Sequence, residues 1–400
     1  MTTHSGSEGT TAAMAGIPPF DSAKLDNLLD EAGLDAVLVT SKHNVQYLLG
    51  GYQYFFYATM DAHGLSRYLP FLIYVKGRPH QTAYIGSPME AHERELGKFW
   101  VVDASFGSMT SWQAAASAVA ALRRLSPSAR HVGIEASFLP VDAYEVLRDG
   151  LPDAVFTSAT LPLELLRAVK TAAELQLIEQ ASVRVVDAMH ATIRSHGAGD
   201  TKAEIVATLR REQVARGLNF DYCLSTLGQS FNRAPSNQVW RQDEVLSLDS
   251  GGNLDGYIGD LCRMAVLGEP DAELQDLLGE IDAIQMAARK QVRAGARGGD
   301  VLTEAEALVE RSSHRDTLDF VAHGMGIVSH EAPWLTARSP VPYVAHHADR
   351  PLEAGMVLSI ETTLLHSRRG FIKLEDTVAV TATGWVAYGD AGRGWNRGRR

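Results

Sequence analysis

Apolar residues fall at helical spacing through "AKLDNLLDEA", break at Gly33, and then run on as "DAVLVT". That pattern predicts a helix, a stop and a strand. "FLIYVKG", "TAYIG", "KFWVVD" and "HVGIE" read as further strands, and "SWQAAASAVAALRRL" as an Ala-rich helix. Such alternation predicts a layered α/β domain over residues 20–162. The pattern then changes. Thr171 stands three residues before Glu174, and Thr201 three before Glu204, each at capping-box spacing ahead of an amphipathic helix. Strands are expected from about Asp221, helices over about Glu273–Arg293 and Leu302–Ser312, and strands again to Tyr388. This predicts an α+β domain over residues 163–390, with helices beside an antiparallel sheet. Residues 1–19 read as a flexible leader, and residues 391–400, "AGRGWNRGRR" being their setting, as a basic solvated tail.

Composition narrows the function classes. The net charge of −11 argues against a general binder of nucleic-acid backbones, which needs a basic surface. No run approaches the roughly 18–20 apolar residues of a membrane helix. The N-terminus has no basic flank or apolar core of a signal peptide. Two cysteines, Cys223 and Cys262, supply no disulfide framework, so a reducing cytoplasm fits best.

Candidate chemistry begins at "VLSLDSGGNLDGYIGDLCR", a hairpin with its turn at "NLDG". A turn centred between Leu254 and Asp255 places Asp249 opposite Asp260; a register shifted by two pairs Asp249 with Cys262 and leaves Asp260 diagonal. In both, the carboxylates share a face within roughly 4.5–8 Å. Like charges so placed need a proton or a cation between them. Solvent exposure is the bland alternative, but the flanking "VLSL" and "MAVL" bespeak a buried hairpin, and Arg263 alone cannot balance the whole acidic set. Downstream, His323 and His330 lie seven residues apart in "HGMGIVSHEAP", Glu361 interrupts the apolar "MVLSIETTLL", and Glu375 with Asp376 interrupts "GFIKLEDTVAV". A glutamate in a buried strand is costly without a partner or a metal. For each of these glutamates taken singly, a salt bridge or an exposed edge is the default reading. Together, oxygen-rich donors with imidazole suit Mn, Fe, Co or Zn, and two such ions can share a hydroxide nucleophile.

The ordered set Asp249, Asp260, His323, Glu361 and Glu375, with its local patterns, resembles the pita-bread metallohydrolases: methionine aminopeptidase, aminopeptidase P, prolidase and the metal-free relative creatinase. "GLDAVLVTSKHNVQYLLGGY" and "AVKTAAELQLIEQA" are similar to the creatinase and prolidase branch. The resemblance implies a creatinase-like N-terminal α/β domain ahead of an α+β pita-bread catalytic domain. It implies two divalent ions, with Asp249 on one, Asp260 and Glu375 bridging, and His323 and Glu361 completing the second. Glu361 is then also the proton shuttle, His330 contacts substrate, and a homodimer acts on a short peptide or small molecule.

Three departures qualify the match. The stretch where family peptidases carry a further histidine is here "GQSFNRAPSNQ", around Asn232, which makes Asn232 a candidate substrate contact. Gly259 and Cys262 flank Asp260 in place of Ser/Thr, and Thr362 follows Glu361 in place of Pro. An aromatic segment, "GGYQYFFYATMDAHGLSRYLPF", is expected to pack a core or to reach a partner's site. The leading expectation is a dinuclear hydrolase of C–N bonds. The alternatives on the same scaffold are a creatinase-like or ectoine-hydrolase-like enzyme, a C–S lyase, and a non-catalytic binding module.

Overall fold

Burial on both faces of its central strands shapes the first of two units, which divide between Leu166 and Arg167. The computed structural model describes residues 15–61, 64–338 and 344–399. Most of the expected leader, residues 1–14, lies outside them, as do Ala62 and His63 of the aromatic segment and the last residue of the expected tail. The first unit holds β1 (Ala36–Val39), β2 (Phe71–Val75), β3 (Ala83–Gly86), β4 (Asp103–Phe106), β5 (His131–Ile134) and β6 (Val155–Ser158). Their order is β4-β3-β2-β1-β5-β6. Alternate residues of β1 enter different cores: Val37 and Val39 join Leu25 and Leu29 of the helix Ser22–Glu31, while Ala36 and Leu38 join Ala118 and Leu122 of the helix Ser111–Leu125.

"KFWVVD" is not a strand. Phe99, Trp100 and Val101 all enter the same core in succession, which a pleated strand does not do, and pairing starts only at Asp103. The aromatic segment packs around a carboxylate. Tyr52 and Tyr84 donate hydroxyls to the fully buried Glu90 at 3.1 and 2.7 Å, and Tyr68 donates a third. Burial raises the Glu90 pKa, and these hydroxyls oppose the rise.

The second unit is built on β7 (Asn219–Leu227), β8 (Val245–Leu254), β9 (Tyr257–Val266), β10 (Leu318–Gly324), β11 (Val357–His366), β12 (Gly370–Val380), β13 (Trp385–Tyr388) and β14 (Asn396–Arg397). The order is β10-β11-β12-β9-β8-β7, with β13 on β12 and β14 on β9. Both expected capping boxes form, at the helices Ala172–Ser195 and Lys202–Ala215. The β8–β9 turn is Asp255-Gly256, with φ of 49° and 95°, as a two-residue type I′ turn requires. It sets the shifted register: Asp249 faces Cys262, and Asp260 faces Gly251. Among the described residues no helix is long and apolar enough to cross a membrane.

Two features hold this sheet from behind. A Cβ on Gly259 would lie 2.6 Å from the Ser182 backbone nitrogen and 2.7 Å from the Ala181 carbonyl carbon, so the helix Ala172–Ser195 packs its backbone directly on β9. This is why glycine precedes Asp260. The other is Asp376, which is fully buried between Arg263 and Arg289, each at 2.9 Å, and Arg393. Burial alone would raise its pKa, but Arg263, Arg393 and Arg289 hold it below the usual carboxylate range. Arg263 therefore serves Asp376 rather than the acidic hairpin. The expected solvated tail is corrected by the same network. Arg393 also pairs with Asp282, Trp395 donates to the Leu274 carbonyl at 2.9 Å, and Asn396–Arg397 pairs with Ala265–Val266. A buried carboxylate and an unpaired strand edge draw this basic segment in.

Gly259→Ala should lower stability by about 1–3 kcal/mol through overpacking, read as a drop in melting temperature. Asp376→Asn should cost about 3–5 kcal/mol, because it strands buried guanidinium groups. The wild-type contribution is present at neutral pH and lost as pH falls through the depressed Asp376 pKa. The variant's stability should therefore depend less on pH in the acid range, checked by denaturant unfolding at several pH values.

Candidate active site

Strand alternation and register decide which side chains meet. Asp249 on β8 pairs with Cys262 on β9, and Cys262 pairs with Glu375 on β12. Glu375 pairs with Glu361 on β11, and Val321, two residues before His323 on β10, pairs with Glu361. Directly paired residues share a face, and residues two apart on one strand share it too. Asp249, Asp260, Glu361, Glu375 and His323 therefore converge on one side of the sheet, whereas Asp376 is turned to the other.

One ligand-type atom from each of Asp249, Asp260 and Glu375 lies within 4.8 Å of the others, and the same holds for His323, His330 and Glu361. Asp249, Asp260, Glu375 and His323 are buried, and Glu361 is partly exposed. Burial and the neighbouring Glu375 and Asp249 charges push the Asp260 pKa well up. The Tyr222 hydroxyl bonds the Asp260 carboxylate, and burial beside Asp260 raises its own pKa. Ser359 donates to Glu375 Oε1 at 2.9 Å. His330 sits exposed at the mouth, its ring stacked on His323 at 3.8 Å between centroids. Desolvation, His323 and Lys373 lower the His330 pKa, so its ring is neutral.

The donors fit divalent cations by two signs. Buried polar atoms normally have partners, yet Asp260 Oδ1 and His323 Nε2 have no hydrogen-bond partner. The carboxylates also crowd together with more negative charge than Lys373 and Arg233 offset.

Sequence reasoning named Asn232 as a substrate contact and missed three residues. Asn232 is exposed, and its Oδ1 accepts from the Ala234 N–H at 3.0 Å, within its own loop. Arg233 instead enters the site, pairing with Asp249 and lying 5.3 Å over the Phe371 ring. Lys373 was the larger omission. Its Nζ lies 2.7 Å from Asp249 Oδ2, 2.5 Å from Glu361 Oε2 and 2.9 Å from Glu375 Oε2. Burial would lower its pKa, but Asp249, Glu375 and Glu361 raise it well above the usual lysine value. The signal was present: a lysine in an apolar strand, two residues before Glu375 and so on its face. The third is Glu331, buried between Arg167 and Lys170 at 3.0 Å each, which anchors the segment carrying His330.

The chamber around Asp249, Asp260 and Glu375 has a volume of about 310 Å³. It shares Arg233, His330, Glu361 and Lys373 with a wider cleft of about 650 Å³, walled by Trp334, Leu335, Leu365 and Phe371. A chamber of charged groups beside a cleft with an apolar wall suits a small substrate with a polar reacting bond.

Comparison with known proteins agrees with this geometry. Residues 176–382 match the model of metallopeptidase family M24, and residues 22–169 match the creatinase/prolidase N-terminal domain. An uncharacterized peptidase, YqhT, of Bacillus subtilis is 23% identical over 373 residues, covering 90% of this chain and 95% of the relative. The Xaa-Pro dipeptidase of Pyrococcus horikoshii is 22% identical over 374 residues, covering 90% and 94%. A solved Xaa-Pro dipeptidase from Bacillus anthracis superposes with a TM-score of 0.77 at 20% identity, over 94% of this chain and 98% of that one. With its five candidate ligands on one face of the catalytic sheet, the chain belongs to metallopeptidase family M24 and is a metal-dependent hydrolase.

Proposed function

We propose that this hydrolase cleaves the C–N bond of short peptides of the Xaa-Pro type, using two divalent ions held by Asp249, Asp260, His323, Glu361 and Glu375. The observation that carries the reading is the convergence of these donors with Asp260 Oδ1 and His323 Nε2 unpartnered. The names of the relatives from Pyrococcus horikoshii and Bacillus anthracis support a dipeptide substrate. Bound divalent ions supply Lewis-acid polarisation of a carbonyl and make water a nucleophile near neutral pH.

The side chains do the rest. Glu361 lines both chamber and cleft, with Oε1 3.7 Å from His323 Nε2. It takes the proton of the attacking water at a carboxylate oxygen and returns it to the leaving nitrogen as the C–N bond breaks, so one water is consumed and an acid and an amine are released. Neutral His330, at the mouth, offers a ring N–H to a substrate carbonyl or carboxylate. Trp334, Leu335 and Phe371 supply apolar surface for the substrate body and exclude water.

A second reading, hydrolysis of a specialised small amide or amidine, is favoured by one observation. Where the family's peptidases carry a histidine, this chain brings in Arg233, a permanent cation that binds anionic groups and does not shuttle protons. Xaa-Pro dipeptides and small amides assayed side by side decide between the two.

Glu361→Gln should reduce kcat by about 10²–10⁴-fold, the usual worth of a general acid–base group. Its melting temperature should stay close to that of the wild type. Exhaustive chelation should abolish turnover, and restored divalent metal should recover it. Full turnover by the chelated protein would remove the metal-dependent mechanism.

A further inference from the structure

We propose that Asp319 is a specificity residue of the cleft: it seats a cationic side chain of the substrate, so that the chain selects peptides bearing an ammonium or guanidinium away from the scissile bond. This rests on the reading of the site as a hydrolase of short peptides.

Strand register lays out the cleft floor. Val321, Glu361 and Glu375 form one cross-strand row, from β10 through β11 to β12. The next row on the same face is Asp319, Thr363 and Lys373, and beyond it Leu365 pairs with Phe371. All of these side chains line the cleft except Glu375, which lines the chamber. Asp319 thus stands in the floor of the cleft, about 7 Å along the strand from the Glu361 row. That spacing names the kind of cation. An α-ammonium next to the scissile carbonyl stays beside the reacting groups, whereas the four-carbon stem of a lysine carries its charge to the next row. Leu365, Trp334 and Leu335 line the same cleft and suit the methylenes of such a stem.

The charge at Asp319 is unbalanced. The lysine and arginines that line the cleft are engaged by other acids: Arg233 by Asp249, Lys373 by Asp249, Glu361 and Glu375, and Arg338 by Glu306. The Asp319 carboxylate accepts the Phe320 backbone N–H, but desolvation and the Glu361 charge outweigh that bond and raise its pKa. A substrate cation relieves both effects, and among the described residues no lysine or arginine side chain does so. An acid on an edge strand, as β10 is, commonly serves only to discourage strand pairing. That role needs no place in the cleft and predicts no charge preference, so the two accounts separate by experiment.

The test is internal competition. The full chain, saturated with Mn²⁺, receives equimolar Lys-Pro and norleucyl-Pro, and separately Ala-Pro-Lys and Ala-Pro-norleucine. Within each pair the peptides differ by the side-chain ammonium, and their consumption, followed by mass spectrometry, gives the ratio of kcat/KM. In at least one pair the wild type should favour the lysyl peptide about tenfold, the worth of one charge-assisted hydrogen bond. Asp319→Asn should bring that ratio close to one, and Asp319→Glu should keep a preference, which a merely structural role would not require. Asp319→Ser replaces the asparagine variant if that one does not fold. Added salt should shrink the wild-type ratio. Ratios near one in both wild-type pairs, or a preference unchanged in Asp319→Asn, overturn the inference while leaving the hydrolase reading intact. No cleavage of any of these peptides by the wild type overturns the peptide reading and the inference with it.

Discussion

Four carboxylates share one buried face of a sheet, and the rest of the catalytic unit answers the need to neutralise them. Their mutual repulsion is built in by register: the Asp255-Gly256 turn fixes β8 against β9, and the strand pairings bring Glu375 and Glu361 alongside. No shuffle by one residue is tolerated, since each strand would then turn its carboxylate to the opposite face. Cations are the physical answer, and the chain supplies two of its own, Lys373 and Arg233. On the proposed reading metal supplies the remainder, and His323 Nε2 and Asp260 Oδ1, which have no hydrogen-bond partner, are among its ligands.

The reverse of the same sheet follows the same rule with a different outcome. Asp376, one residue from Glu375, faces backward and is ion-paired by three arginines. Adjacent acids on one strand thus serve different ends, one open to a substrate chamber and one closed in structure. Because Arg263 and Arg393 come from β9 and the C-terminal segment, the closed network braces the strands whose front faces carry Asp260 and Glu375.

Much of this was legible in the sequence because strand periodicity is local. Apolar runs interrupted by acids identified the strands bearing Glu361 and Glu375, and the capping boxes at Thr171 and Thr201 located the starts of two helices. What depended on distant packing was not legible. Of the two hairpin registers left open, the Asp-Gly turn selects the one with Asp260 diagonal to Asp249. Asn232 and Arg233 are neighbours, and only the loop's path decides which one enters the site. Lys373 hid in a strand read for its acids alone. The basic C-terminus resembled a solvated tail because its partner, Asp376, lies in another element. Likewise "KFWVVD" has strand composition but packs three successive side chains inward.

The central claim is that the buried carboxylates and His323 form a cation site for hydrolysis. Anomalous diffraction from crystals grown with Mn²⁺ tests it most directly. The account predicts anomalous peaks among the ligand atoms of Asp249, Asp260, Glu375, His323 and Glu361. An ordered chamber with no peak there, at saturating Mn²⁺, would contradict it.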